Sequence, residues 1–364
     1  MKVIVVGAGI LGLSIAYNLA KRGAEVTVLE ERYPGSGISV RTLGAVHSQW
    51  NNEHDITFAK KNRELMGRLS SDLNFNILFR RDGYLMVARD KEELAELDRN
   101  ASLQRSLGID TTQLSAEDIR DRYPFLDASS IVGGTLSKGD GSMHPFSVVN
   151  GLWSSFERQH GKIVRPTTVR NLQVDGSRVA SVETDRGSYK ADVYVVAAGT
   201  GSREILRTIG LDVPTQLVKH EMLATEPLRF FLKPMIQSYR EEISITQSSR
   251  GEILCQLPTR GEKIQNDNSS TLDFLEKAAT ELMRFIPTLR EVKVLRPWAG
   301  LVETTSDSEP VTGKFGLDNL WVAFADSGKG VMFAPTIGKI MAEEILSGES
   351  NPDLEPYSPD RLLS

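Results

Sequence analysis

A single cysteine, Cys255, stands among 364 residues, so no intramolecular disulfide can form. That suits a reducing compartment. Only five histidines accompany it. They show no zinc or iron–sulfur ligand spacing, and no metal is expected. No run approaches the roughly 18 consecutive apolar residues of a membrane-spanning helix. The N-terminus lacks a basic leader followed by a long apolar stretch, so no signal peptide is read and the cytoplasm is the expected location. Neither sign of charge dominates: 43 Lys and Arg stand against 48 Asp and Glu, a net of -5. Nothing there calls for nucleic acid or an acidic membrane surface as partner. Internal repeats and low-complexity segments are also missing. What is present is ordinary globular composition, 40% hydrophobic and 25% charged, in a chain long enough for two domains or one interleaved unit.

The N-terminus carries the first motif. Val3-Ile4-Val5-Val6 is a continuous β-branched run, as expected for a buried parallel strand. Gly7-Ala8-Gly9-Ile10-Leu11-Gly12 follows and matches G-x-G-x-x-G. A helical pattern runs on to Arg22, with Leu11, Ile15 and Leu19 on one stripe and Gly12, Ala16 and Ala20 on a small-residue stripe beside it. Gly23 is a plausible stop, and Val26 to Leu29 reads as a second strand ending in Glu30. Each part has a task. Gly7 permits the tight turn, Gly9 lets the backbone approach a pyrophosphate, and Gly12 lets the helix pack on the strand. The helix start offers free N–H groups to phosphates. Glu30 lies where an acid accepts hydrogen bonds from ribose hydroxyls. This unit predicts a dinucleotide site without separating NAD from FAD.

Residues 33–50 are rich in Gly, Ser and Pro and read as a loop, in which Arg41 is either a phosphate contact or an ordinary surface arginine. Residues 53–71 are expected to be helical, and 77–88 to be strands about the turn Arg81-Asp82-Gly83. A charged amphipathic helix is expected over 90–107 and another helix over 145–159. Residues 165–199 predict short strands with turns at Asp175-Gly176 and Asp185-Arg186-Gly187. They end in a buried strand that meets Ala197-Ala198-Gly199, where a nucleotide passes or the chain merely turns. Residues 216–258 alternate as antiparallel strands do, and 270–286 reads as a capped helix with apolar positions Leu272, Leu275, Ala279, Leu282 and Ile286. Near the end, a strand at 321–325 enters Asp326-Ser327-Gly328-Lys329-Gly330 and a helix over 331–346 stopped by Gly348. A second glycine-rich loop thus feeds a second helix start, which can stabilise negative charge or be a plain turn.

Taken together, the chain resembles the D-amino-acid oxidase-type (DAO) FAD-dependent oxidoreductases, in particular the sarcosine oxidase β-subunit, dye-linked L-proline dehydrogenase and glycine oxidase branch. The resemblance spans almost the whole sequence. It rests on the first glycine motif with Glu30, Gly35-Ser36-Gly37 with Arg41, Arg81-Asp82-Gly83-Tyr84 and Gly139-Asp140-Gly141 with Pro145. It continues through Ala197-Ala198-Gly199, Lys219-His220, Arg296-Pro297-Trp298-Ala299-Gly300, Asp307 with Pro310 and Gly313, and Ser327-Gly328-Lys329-Gly330 with Ala334-Pro335.

The resemblance implies an α/β, Rossmann-like FAD-binding domain built from discontinuous segments, expected at 1–76, 141–213 and 298–364. An α+β substrate domain of antiparallel sheet plus helices is expected at 77–140 and 214–297. It implies that Glu30 holds the ribose, Arg41 and Thr42 meet the pyrophosphate, and Val169 contacts adenine. Gly328, Lys329, Gly330, Val331 and Met332 line the flavin, where the helix dipole stabilises the charge forming on reduction. Glu31, Arg32, Ser36, Gly37, Leu43, Val46, Ala198, Gly199 and Gly300, with Ile10 and Leu11, complete the expected cofactor contacts. Where covalent members carry cysteine, this chain has Gly300-Leu301-Val302-Glu303, so FAD is expected to be non-covalent. The carboxylate-binding arginine and lysine of the glycine oxidase and sarcosine oxidase types are replaced by Val302 and Met332. Candidate substitutes are His47, Lys219, His220, Tyr239, Arg240 and Lys329. Among these His220, Lys329 and His47 are the catalytic candidates, while Lys219, Tyr239, Arg240 and Met332 are the substrate-binding ones. A further departure is Phe324-Ala325-Asp326, where relatives favour glycine.

The expected reaction is oxidation of the C–N bond of a small amine or amino acid (proline, sarcosine or glycine-like) by hydride transfer to flavin N5, giving an imine. Oxidation of a 2-hydroxy acid or polyol phosphate is the alternative, as is a role as the FAD-carrying subunit of a hetero-oligomer. An NAD-dependent dehydrogenase is disfavoured, since the nucleotide motifs are spread along the chain. A homo- or hetero-oligomer is compatible with the sequence.

Overall fold

The computed structural model describes residues 1–259 and 268–363. Strand Lys2–Val6 lies near the middle of a six-stranded sheet. It pairs in parallel with Val193–Val196 on one side and Glu25–Leu29 on the other. Lys162–Val164 forms one edge. Leu320–Phe324 adds in parallel to Val193–Val196, and Val311–Lys314 closes the other edge as the sheet's antiparallel strand. Both faces of this sheet are covered, which is why its strands are apolar throughout.

The period of two sorts the residues to two cores. Val3 and Val5 pack against helices Ile10–Lys21, Glu53–Asp72, Pro145–Arg158 and Gly330–Ser347. Ile4 and Val6 pack with Leu172, Val179 and Val182 of a three-stranded antiparallel sheet and with Ile205 and Leu206. Helices Ile10–Lys21 and Gly330–Ser347 cross closely: a Cβ on Gly338 would lie 2.3 Å from Ser14 Oγ. Their N-terminal ends therefore sit on the same rim of the sheet.

An eight-stranded sheet forms the second layer system. Its order is Val294–Thr304, Gln216–Pro227, Glu252–Thr259, Ser244–Gln247, Met235–Ser238, Tyr84–Ala88, Gly133–Ser137, Thr111–Ser115. All neighbours are antiparallel except Met235–Ser238 with Tyr84–Ala88. One face packs on helix Leu272–Phe285 through Leu223, Cys255, Phe274 and Leu282. The other carries Tyr84, Met86 and Met222, which meet Leu43 of the nucleotide-side loop. Strand Val294–Thr304 runs unbroken through residue 298, where the sequence suggested a division between domains.

The structure departs from the sequence reading in three places. Strand structure does not fill 77–88: only Tyr84–Ala88 is a strand, and Arg80 makes one isolated bridge to Ser142. Gly83, at φ 98°, turns the chain between them. In the helix after residue 270, Phe274, Ala278, Leu282 and Phe285 are the buried stripe, while Leu272 is 82% exposed. Thr271 is the N-cap, accepting from the Phe274 N–H, so Leu272 falls on the outward side of the first turn. Strands Thr111–Ser115 and Gly133–Ser137 were not foreseen, since neither TTQLS nor GGTLS carries an apolar run.

Candidate active site

Gly7 holds φ 102°, and a Cβ there would lie 2.4 Å from the Ala197 carbonyl oxygen. A Cβ on Gly12 would lie 2.1 Å from the Gly7 carbonyl oxygen. The turn, the start of helix Ile10–Lys21 and the end of strand Val193–Val196 thus approach as closely as backbone allows. Glu30 stands over this turn. Its carboxylate accepts from the N–H groups of Ala8 and Arg32, each at 2.8 Å. Thr167 donates its N–H to the Glu30 carbonyl at 2.8 Å. The Thr167 hydroxyl is buried there with no hydrogen-bond partner. Val169 lies two residues on, half-buried.

The 33–50 loop folds back over the helix start. Ser39, buried, accepts the Ile10 N–H on its Oγ at 3.0 Å. Arg41 donates to the carbonyls of Ser36 and Gly37. Asp140, fully buried, anchors the loop by accepting from the Ser48 N–H at 2.9 Å and the Ser48 hydroxyl at 2.8 Å. That is what the Gly139-Asp140-Gly141 motif does.

The second glycine loop arrives from strand Leu320–Phe324 and enters helix Gly330–Ser347. Gly328, Gly330 and Val331 share one cavity with Ile10, Arg41 and Thr42. The two glycine-lined helix starts therefore converge. The opposite wall is the eight-stranded sheet, which contributes His220, Gln256 and Val302. His220 and Met222 alternate onto this face, His220 beside Gly300 and Met222 beside Gln256. Gln256 Nε2 lies 2.8 Å from His220 Nδ1. A Cβ on Gly300 would strike Ile38, so glycine is what lets the loop lie against this strand.

Of the charged candidates, His220 is the one in the cavity wall. Lys219, its strand neighbour, points to the other side of the sheet with Glu221 and is buried. Lys329 sits in the glycine loop but turns inward: its ammonium lies 2.5 Å from both Asp55 Oδ2 and Glu309 Oε2, and 4.8 Å from the centre of the Trp50 ring. Its charge is met in the core by those two carboxylates. His47 is stacked between Trp50 and Tyr84, at ring distances of 4.4 and 4.6 Å. Burial pulls its pKa down to about 3, so it is a neutral core histidine. Tyr239 donates to Glu96 at 2.6 Å, and Arg240 pairs with Asp90, Glu92 and Glu93. Both dock helix Lys91–Ser106 from outside the cavity. Met332 belongs to the helix-side core.

Sequence reasoning missed Ser39 and Gln256. Ser39 was hidden in a run of small loop residues. Gln256 was findable, as a polar residue alternating onto the face that His220 occupies. His54, Asp55 and Glu309 bring ligand atoms within 4.8 Å of one another, but the Lys329 ammonium already supplies the cation between the two carboxylates. A larger cleft of about 240 Å³ lies between helices Ile10–Lys21 and Glu53–Asp72, lined by Tyr17, Lys21, Arg68 and Lys339 among others. It contains none of the expected site residues.

A family model for FAD-dependent oxidoreductases, DAO, matches residues 2–344. The chain belongs to the DAO family. A DAO relative, sarcosine oxidase subunit beta of Rhodobacter capsulatus, is 25% identical over 354 residues, covering 96% of this chain and 85% of that one. L-Proline dehydrogenase from P. horikoshii matches in structure with a TM-score of 0.93 at 29% identity, over 99% of this chain and 97% of that one. Glycine oxidase from Geobacillus kaustophilus shares the fold, with a TM-score of 0.91 at 22% identity over 98% of this chain. FAD is the DAO cofactor, and the residues present fit it. A Cβ at Gly7 or Gly12 would strike the backbone of the turn, Glu30 stands over it, and the Thr167 hydroxyl lies buried without a partner at the adenosine end. No described helix is long and apolar enough to cross a membrane.

Proposed function

We propose that this DAO-family chain holds FAD non-covalently and oxidises the C–N bond of a small amino acid, with a secondary amine such as sarcosine or L-proline the leading substrate class. The observation that carries this is the shared cavity: both glycine-lined helix starts on one wall, His220 and Gln256 on the other. The relatives' names supply the substrate class, sarcosine in one and L-proline in another. Both are secondary amines with a carboxylate.

Glu30 would hold the adenosine ribose and Arg41 with Thr42 the pyrophosphate. The Gly328–Gly330 loop and Val331 would face the flavin end, and Val169 the adenine. Bound FAD supplies the acceptor for the substrate's hydride.

The chain's own residues position the amine. Gln256 Nε2 lies 2.8 Å from His220 Nδ1, and an amide donating there places the imidazole proton of His220 on Nε2. It is thereby a donor suited to a carboxylate, the role for which Val302 and Met332 offer no polar group. A buried carboxylate needs such a donor. The name of the relative from Rhodobacter capsulatus, a subunit, supports a hetero-oligomer as the working form. The buried thiol of Cys255 suits a reducing cytoplasm.

The test is a dye-linked assay of the FAD-loaded protein with sarcosine, proline, glycine, D-amino acids and 2-hydroxy acids. Turnover of a secondary amino acid is expected, and His220→Ala should raise KM for it at least tenfold while leaving the flavin spectrum in place. Turnover of hydroxy acids alone overturns the substrate reading, and an unchanged KM overturns the role of His220.

A further inference from the structure

The approach to the second glycine loop is held in an uncommon conformation. Ala325 has φ 48°, Ser327 φ 52° and Gly328 φ 84°, so three of four successive residues are left-handed and two of them are not glycine. Each such non-glycine residue costs on the order of 1 kcal/mol. Asp326 lies between them. Its carboxylate accepts the Gly328 N–H at 2.9 Å, and its carbonyl accepts the Lys329 N–H at 2.8 Å. A Cβ on Gly330 would lie 2.0 Å from Asp326 Oδ2. The carboxylate therefore sits directly over the first residue of helix Gly330–Ser347, and it lines the cavity together with His220 and Gln256.

This changes the electrostatics of the flavin end. A helix start presents about half a positive elementary charge. Burial pushes the Asp326 pKa up while the Gly328 and Gly330 N–H groups pull it down, and in its ionised form the carboxylate offsets the positive helix start. Lys329 does not restore the balance, because it is committed to Asp55 and Glu309. Glu303, behind the loop, feels the Asp326 charge as a further push toward its neutral form. A flavin gains negative charge on reduction, so a carboxylate at this place opposes that gain.

We propose that Asp326 is the electrostatic tuning residue of the flavin end: it offsets the dipole of helix Gly330–Ser347 and keeps the bound flavin hard to reduce. A flavin so held gives up electrons readily once reduced, and the wall around it repels anions other than one met by a specific donor. The inference rests on the reading that FAD binds in this cavity.

The test compares wild type with Asp326→Asn, Asp326→Ser and Asp326→Glu, all loaded with FAD. Asn and Ser retain an oxygen to accept the Gly328 N–H without the charge, and Glu retains the charge. The readouts are the two-electron reduction potential and the affinity for sulfite, an anion whose binding bleaches the flavin's yellow absorbance. Asn and Ser should each favour the reduced flavin at least tenfold, about 30 mV for a two-electron couple. Both should also bind sulfite at least tenfold more tightly, while Glu stays near wild type. An unmoved potential in both Asn and Ser, or a Glu variant shifted as far as Asn, overturns the proposal. Failure of the wild-type protein to take up FAD instead overturns the reading beneath it.

Discussion

Replacing Glu303 by Gln should change how stability depends on pH. Glu303 is buried, Oε1 accepts from the Thr215 hydroxyl at 2.6 Å, and Oε2 has no hydrogen-bond partner. Burial raises its pKa most and the Asp326 charge adds to that, against the Thr215 bond and Arg203; the result is about 7, from an ordinary 4.5. Below the ordinary value the group is protonated in folded and unfolded chains alike. As pH rises from there, the unfolded chain releases the proton first, so the folded state loses stability until pH passes its own value near 7. A difference of about 2.5 pH units corresponds to about 3 kcal/mol. At roughly 2.1 cal/mol/K per residue, 364 residues convert this to about 4 °C in Tm. Glu303→Gln keeps an acceptor for Thr215 and has no charge to desolvate. Thermal unfolding of both FAD-loaded proteins from about pH 5 to about pH 9 should show the variant gaining about 4 °C on wild type toward the alkaline end. A gap that is the same at both ends refutes the reasoning, because it means that Glu303 titrates as an ordinary carboxylate.

Lys329→Met should cost about 3–5 kcal/mol in urea unfolding, because it leaves Asp55 and Glu309 buried without their cation. Adding Asp55→Asn should recover part of that loss, and a Lys329→Met protein as stable as wild type shows the triad to be unimportant. Acid precipitation of the loaded protein should leave all flavin in the supernatant. Cys255, the one cysteine, packs on the Phe274 side of its sheet, away from the Gln256 face, so yellow colour retained in the pellet contradicts the geometry.

Much of the nucleotide half was legible because its signals are local. Gly7, Gly9, Gly12 and Glu30 fall within one strand–turn–helix–strand unit, and neighbouring residues determine what each does. The strands at 169–196 were legible for the same reason, from turns at Gly176 and Gly187. Strand Gly133–Ser137 was not, because its burial comes from pairing with Tyr84–Ala88 and Thr111–Ser115 rather than from its own residues. The substrate wall fared worse. Tyr239 and Arg240 looked like available polar groups, yet their partners, Glu96 and Asp90 to Glu93, lie about 140 to 150 positions away. A charge in a sequence carries no record of which distant charge will meet it.

Lys329 shows how such a residue misleads and what the fold makes of it. A lysine inside a glycine-rich loop at a helix start reads as a group reaching for an anion. But the loop contains two left-handed residues that are not glycine, and strain of that kind persists only where surrounding contacts hold it. Lys329 provides such a contact, fastening the loop to Asp55 of helix Glu53–Asp72 and to Glu309. Asp326, three positions earlier, supplies the loop's charge toward the cavity. The loop thus divides its two charged side chains between two tasks, the cation turned inward to fix the backbone and the anion turned outward to set the field. The left-handed residues 325 and 327 flank Asp326, so the strained backbone lies at the anion's end of the loop.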